Sequence, residues 1–240
     1  MKTIVITGGA KGLGKALTLA FAKKGYNVSI CGRTESALEQ VQKDANNLGG
    51  NVLAVQADVS IEREVDTFIS LTEQKFGHID VLINNAAILG PSPMPLLLDY
   101  DSEDFLNVLK VNVLNPFLVT KRVLPGMIQR NVGSIINLTS EAGGTGYAGW
   151  GAYGISKFAV EGLTETWADE VSTTAIRVNM VDPGSMDTHM HALAVPDRDY
   201  DLPKPEEIVD VFLFLASDES KHLTGKRFIA QTFNNGVREV

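Results

Sequence analysis

The sequence predicts a doubly wound α/β fold: about seven parallel strands with helices packed on both faces of the sheet. Three observations predict it. Short apolar runs alternate with longer amphipathic stretches along the whole chain. The short runs are β-branched and apolar throughout rather than alternating, which suits strands covered on both faces. Strand–helix alternation without interruption implies βαβ units with right-handed crossovers.

The elements follow in order. Strands are expected at Thr3–Thr7, Asn27–Cys31, Val52–Gln56, Val81–Asn84, Ser134–Leu138, Ala175–Val181 and Arg227–Ala230. Helices are expected between them, at Gly12–Lys24, Glu35–Asn47, Glu62–Phe76, Ser102–Thr120, Tyr153–Val171 and Pro205–Ser217. No linker, repeat or charge run divides the chain, so residues 1–240 read as a single domain. Three loops follow strand ends, where open α/β sheets bind ligands: residues 90–95, 143–151 and the long segment 184–203. Met186, Met190 and Leu193 in that last segment suit an apolar lid.

Composition sets outer bounds. The 240 residues are 44% hydrophobic and 21% charged, which excludes a disordered chain. The net charge of −8 argues against general nucleic-acid binding. Cys31 is the single cysteine, so no internal disulfide is available, and a small buried strand residue is its simplest role. The start, MKTIVITGGA, has too short an apolar run for a signal peptide, and no window approaches the roughly 20 apolar residues of a membrane span. A cytoplasmic protein is expected. His189 and His191 are the only histidines close together, and no ligand spacing accompanies them, so no metal is expected.

The first strand runs into TGGAKGLG, with Gly8, Gly9, Gly12 and Gly14 in seven residues. Glycine permits a tight turn and a close backbone approach, and free N–H groups at the following helix start attract an anion. Between a strand and a helix, this pattern points to a pyrophosphate and hence to a dinucleotide in a Rossmann-type fold. There is no terminal Gly-Lys-Ser/Thr, so it is not an NTPase loop. About 20 residues on, a ribose-binding carboxylate is usual, but the second strand ends in Gly32 and Arg33, 24 and 25 residues past Gly8, and neither is acidic. Arg33 offers a donor fork suited to a 2′-phosphate, and Lys11 inside the glycine loop can reach the same group. NADP(H) is therefore expected in preference to NAD(H).

Tyr153 and Lys157 sit four residues apart at a predicted helix start and so share one face. A phenol titrates near 10 in water, and a neighbouring ammonium is expected to lower it. Ser140, 13 residues before Tyr153, ends the fifth strand, where its hydroxyl can bond a substrate carbonyl oxygen. Tyr147 and Trp150 lie in the loop before Tyr153, positioned either to line a substrate pocket or to pack beneath it.

Together these residues resemble the short-chain dehydrogenase/reductases, in the single-domain branch of about 250 residues, over nearly the whole chain. TGGAKGLG, with Gly8, Gly12, Leu13 and Gly14, resembles the family's cofactor glycine motif. Asp58-Val59 is similar to its adenine-contacting pair, and Asn84-Asn85-Ala86-Ala87 to its Asn-Asn-Ala-Gly motif, with Ala87 in place of Gly. Asn112, Ser140, Tyr153 and Lys157 match its catalytic tetrad. Asp182-Pro183-Gly184 followed by Thr188 resembles its Pro-Gly segment and nicotinamide-contacting Thr, with Asp182 where Asn is commoner. The stretch 212–225 resembles its C-terminal helix and turn, whereas AQTFNNG at 230–236 lacks the usual Asp-Gly-Gly.

The resemblance implies hydride transfer between nicotinamide C4 and a carbonyl or secondary alcohol. Tyr153 would be general acid/base, Lys157 its modulator and ribose ligand, and Ser140 the carbonyl orienter. Asn112 would hold a proton-relay water. It implies cofactor contacts at Gly8, Lys11, Gly12, Leu13, Gly14, Arg33, Asp58, Val59, Asn85, Ala86, Tyr153, Lys157, Pro183, Gly184 and Thr188, and a homotetramer or homodimer. The alternative is a catalytically silent NADP(H)-binding regulatory or scaffold protein, which would be expected to lose tetrad members. Ketoacyl thioesters, sugars, steroids and small diketones all fit the sequence as substrates, because the fold does not set specificity.

Overall fold

The computed structural model describes residues 1–233. Seven strands form one sheet: β1 (Thr3–Thr7), β2 (Asn27–Gly32), β3 (Asn51–Gln56), β4 (Val81–Asn84), β5 (Gly133–Leu138), β6 (Ile176–Asp182) and β7 (Arg227–Ile229). Every pairing is parallel, and the spatial order is β3-β2-β1-β4-β5-β6-β7. The order reverses between β1 and β4, and the crevice outside their carboxyl ends is the topological switch point.

Period-two alternation along the strands feeds two cores. Ile4, Ile6, Val28 and Ile30 point to the face covered by α1 (Gly12–Lys23) and α2 (Glu35–Asn47). Val5, Leu82, Ile135 and Val178 point to the other, under α3 (Glu62–Phe76), with α5 and α6 described below. Each fully buried aliphatic side chain contributes roughly 1.5–3 kcal/mol. No helix among the described residues is long and apolar enough to cross a membrane.

Four departures from the sequence expectation follow, three of them at the site. The helix expected at Ser102–Thr120 is α4 (Ser102–Leu109), then a π-type turn at Lys110–Leu114, then α5 (Asn115–Arg130). Pattern reading does not detect a π turn, because it preserves helical handedness while adding one residue. The helix bearing Tyr153, α6, begins at Gly151 and ends at Glu170. The long loop carries its own short helix, α7 (His189–Ala194), capped by Thr188 Oγ1 accepting from the His191 amide at 3.2 Å. Further on, Pro205–Ile208 is a 3₁₀ turn and only Asp210–Ala216 is α-helical, forming α8 on the first face. The Asn234–Gly236 part of the C-terminal departure lies outside the described residues.

Candidate active site

The glycine turn sits at the switch point. Gly8 adopts φ +66°, and a Cβ on Gly14 would meet the Gly8 carbonyl oxygen at 2.1 Å, so a side chain at position 14 would push α1 away from β1. Asn85, beyond β4, donates through Nδ2 to the carbonyls of Thr7 (2.8 Å) and Gly8 (3.1 Å). The amides of Asn85 and Ala86 both donate to Thr7 Oγ1 at 3.0 Å. The side chain of Asn85 thus braces the loop. Lys11 is the N-cap of α1 and supplies no side-chain cap, and no acidic residue stands in the first turn. That end, with Gly12 and Leu13 following, is open to an anion. Thr188 comes down onto this turn: its Cγ2 would lie 3.4 Å from a Cβ at Gly12.

Arg33 and Lys11 are both exposed near the ends of β2 and β1. Asp58 follows β3. Desolvation raises its carboxyl, but bonds from Ser60 Oγ (2.7 Å) and the Ser60 amide (3.0 Å), with the charges of Arg33 and Lys110, hold it below the usual carboxylate range. Val59 is buried beside it.

The predicted tetrad converges. Asn112 lies in the π turn and is 2% exposed; its Oδ1 accepts from the Ile88 amide (2.8 Å), and its Nδ2 donates to the Ile88 carbonyl (2.9 Å) and Ser156 Oγ (3.0 Å). Ser156 Oγ in turn donates to the Tyr153 carbonyl at 2.6 Å. Asn112 therefore ties the loop after β4 to the helix that carries Tyr153 and Lys157. Ser140 continues from β5; its hydroxyl accepts from the Ala142 amide at 3.3 Å and acts on the Tyr153 phenol to lower it. Lys157 is 4% exposed, donates to the Leu138 carbonyl at 2.9 Å, and lies 5.4 Å from the Tyr153 ring centroid.

The electrostatics correct one expectation. Lys157 does not pull the phenol down. Desolvation pushes Tyr153 up to about 12, with the Ser140 bond opposing and the Asp182 charge reinforcing the rise. Desolvation also pulls Lys157 down to about 8, against Asp182. Burial is the largest cause of both shifts.

Asp182, ending β6, is 5% exposed. Its Oδ1 accepts from the Gly184 amide at 2.9 Å, which orders the Pro183–Gly184 turn leading to Thr188. Its Oδ2 pairs with Arg227 Nη2 at 2.9 Å. The sequence had singled out Asp182 as a departure, but not its partner on β7. Gln231 also reaches the Ser185 carbonyl from the C-terminal segment.

A cavity of about 400 Å³ opens beside the site, lined by Ser92, Pro93, Met94, Trp150, Leu193 and Pro196 among others. Trp150, for which the sequence leaves lining and packing both open, lines this cavity, as does Leu193. Tyr147 instead donates to Glu141 Oε1 at 2.6 Å, and Met186 is buried in the core. Among the described residues, no group of three His, Cys, Asp or Glu side chains is placed to hold a metal ion.

A family model for short chain dehydrogenases matches residues 2–199. The 3-oxoacyl-[acyl-carrier-protein] reductase FabG of Thermotoga maritima is 39% identical over 234 residues, covering 94% of each chain. A Pseudomonas syringae structure assigned to the short chain dehydrogenases superposes with a TM-score of 0.91 at 36% identity, covering 96% of this chain and 94% of that one. One from Shigella flexneri 2a strain 301, solved with NADP, gives 0.90 at 30%, covering 96% and 97%. Fold and relatives define a doubly wound α/β oxidoreductase. The chain belongs to the short-chain dehydrogenase/reductase family.

Proposed function

We propose that the chain is an NADP(H)-dependent oxidoreductase interconverting a carbonyl compound and its secondary alcohol, with Tyr153 as general acid/base. The observation that carries this reading is the Ser140–Tyr153–Lys157 cluster at the carboxyl ends of the central strands, with Lys157 buried, Ser140 and Tyr153 partly exposed, and the helix braced through Asn112 and Ser156. The residues fit the dinucleotide. The Gly8–Gly14 contact leaves no room for a side chain where pyrophosphate would approach, the start of α1 lacks a side-chain cap, and Arg33 and Lys11 stand exposed for a 2′-phosphate. NADP in the Shigella structure supports the same preference.

Bound nicotinamide supplies or accepts the hydride at C4. Ser140 orients the carbonyl oxygen. In reduction Tyr153 donates its proton to that oxygen as charge develops there, leaving a phenolate. Lys157, 5.4 Å from the Tyr153 ring centroid, would hold the nicotinamide ribose. The water relay assigned to Asn112 does not use its side-chain amide, which is committed to Ile88 and Ser156. Asp58, Val59, Ala86, Pro183, Gly184 and Thr188 complete the cofactor groove. The cavity walled by Pro93, Met94 and Trp150 suits a carbonyl compound with an apolar body. A cytoplasmic homodimer or homotetramer completes the reading.

Oxidation of NADPH across a carbonyl panel, including a 3-oxoacyl thioester and a small diketone, tests it. Turnover by the wild type that falls about a thousandfold in Tyr153→Phe is expected. Activity within a few-fold of wild type in that variant removes Tyr153 as proton donor, and no turnover on any member favours the silent binding module.

A further inference from the structure

The C-terminal segment approaches the turn after β6 from two sides. Arg227, on β7, acts from within the sheet. Met180 pairs with Arg227 and Asp182 with Ile229, so Asp182 and Arg227 share one face of the sheet. Arg227 Nη2 pairs with Asp182 Oδ2 at 2.9 Å and donates to the Ser140 carbonyl at 3.1 Å, while its Nε pairs with Glu161 Oε1 on α6 at 3.1 Å. Asp182 Oδ1 accepts from the Gly184 amide at 2.9 Å. The guanidinium fixes the carboxylate, and the carboxylate fixes the backbone of the turn.

Gln231 acts from the surface, in the stretch from Ala230 on that lacks the family's Asp-Gly-Gly. Its Nε2 donates to the Ser185 carbonyl, and a Cβ on Gly184 would lie 2.6 Å from its Cδ. The Gln231 amide therefore rests directly on Gly184, with no room for a side chain between them. Gln231 is itself held in place. It lies in a 3₁₀ turn, Ala230–Thr232, whose Ala230 is buried, and the following Phe233 packs on Phe214 with ring centroids 5.3 Å apart. Beyond Ser185, Met186 is seated in the core and Thr188 comes down onto the glycine turn at Gly12. Thr188 stands only four residues past Gly184, so the position of the turn is passed on to it.

We propose that Arg227 and Gln231 are positioning residues for the cofactor: holding the Asp182–Ser185 turn from the sheet and from the surface, they set where Thr188 meets the glycine turn and so shape the nicotinamide half of the groove. This rests on the dinucleotide reading of that groove. Neither side chain needs to touch the cofactor. A groove already held in shape binds more tightly, because less ordering is left to be done on binding. The adenosine half of the groove, with Arg33 and Asp58, belongs to the β2–β3 end of the sheet, opposite β7.

The test compares two ligands by calorimetric titration of the full chain: NADPH, and adenosine 2′,5′-bisphosphate, which carries the 2′-phosphate but no nicotinamide. Gln231→Ala, at an exposed position, is expected to weaken NADPH about three- to tenfold and to leave the bisphosphate within about twofold of wild type. Arg227→Met is expected to weaken NADPH about tenfold or more with the same sparing of the bisphosphate. Arg227→Lys, which keeps a cation against Asp182, is expected to recover part of that loss. A general loss of structure moves both ligands together, so their ratio is the readout. A loss of NADPH affinity smaller than about threefold in either Gln231→Ala or Arg227→Met overturns the proposal, and so does parallel weakening of both ligands. If Arg227→Met does not fold, Gln231→Ala decides. A wild type that binds the bisphosphate no tighter than adenosine 5′-monophosphate removes the 2′-phosphate reading instead, and the same variants titrated with NADH and the monophosphate then decide the role of Arg227 and Gln231.

Discussion

The two ends of the crevice are built in opposite ways. At the β4–β5–β6 end, Asn112, Lys157 and Asp182 are 2%, 4% and 5% exposed, and each bonds to backbone or to another buried side chain. At the β1–β2–β3 end, Arg33 and Lys11 lie in solvent and Asp58 is half-buried with local Ser60 bonds. A proton donor needs a fixed geometry and a low-dielectric setting that moves its protonation equilibrium. Attraction of a phosphate needs only mobile cations within reach. Chemistry and cofactor choice should therefore respond to different mutations, and substitutions at each end can break or sharpen that separation.

The largest effect after Tyr153→Phe is expected for Lys157→Met. Turnover should fall at least about a hundredfold, while the melting temperature stays level or rises. The reason is linkage. The folded Lys157 titrates near 8 rather than 10.5, so the unfolded chain binds more protons between those values. The destabilisation is therefore full below pH 8 and fades as pH climbs through that window. Melting curves at pH 7 and pH 10 check the sign: the gain from Lys157→Met should shrink at the higher pH.

At the other end, Arg33→Asp should raise KM for NADPH about ten- to a hundredfold with kcat held within a few-fold, and should spare NADH. Steady-state kinetics with both cofactors measures this, and a wild type preferring NADH would sink the NADP(H) assignment. Asn112→Ala strips the partners from the Ile88 amide and carbonyl, at about 1–3 kcal/mol for each buried group left unpaired. A melting temperature lower by several degrees, with a roughly tenfold loss of turnover, is expected. The smallest effect is ionic. Raising salt from about 0.05 to 0.5 M should weaken NADPH a few-fold more than NADH, because the exposed cations are screened.

The sheet, the switch point and the tetrad were legible in the sequence because glycine spacing, buried strand composition and the Ser–Tyr–Lys spacing are local signals. What escaped is non-local or subtle. The π turn at Lys110–Leu114 that aims Asn112 leaves no mark on apolar periodicity. The Asp182–Arg227 pair joins residues 45 apart across adjacent strands, and only register brings them together. The expected lowering of the Tyr153 phenol failed for a related reason: spacing places Lys157 beside it, but desolvation depends on everything packed around both.

The separation of chemistry from cofactor binding is tested most directly by the NADPH affinity of Tyr153→Phe, read by fluorescence titration beside wild type. An affinity within about threefold of wild type, in a variant that has lost its turnover, is the predicted result. A tenfold or greater loss of NADPH affinity would contradict it, because the phenol hydroxyl would then be part of what holds the cofactor.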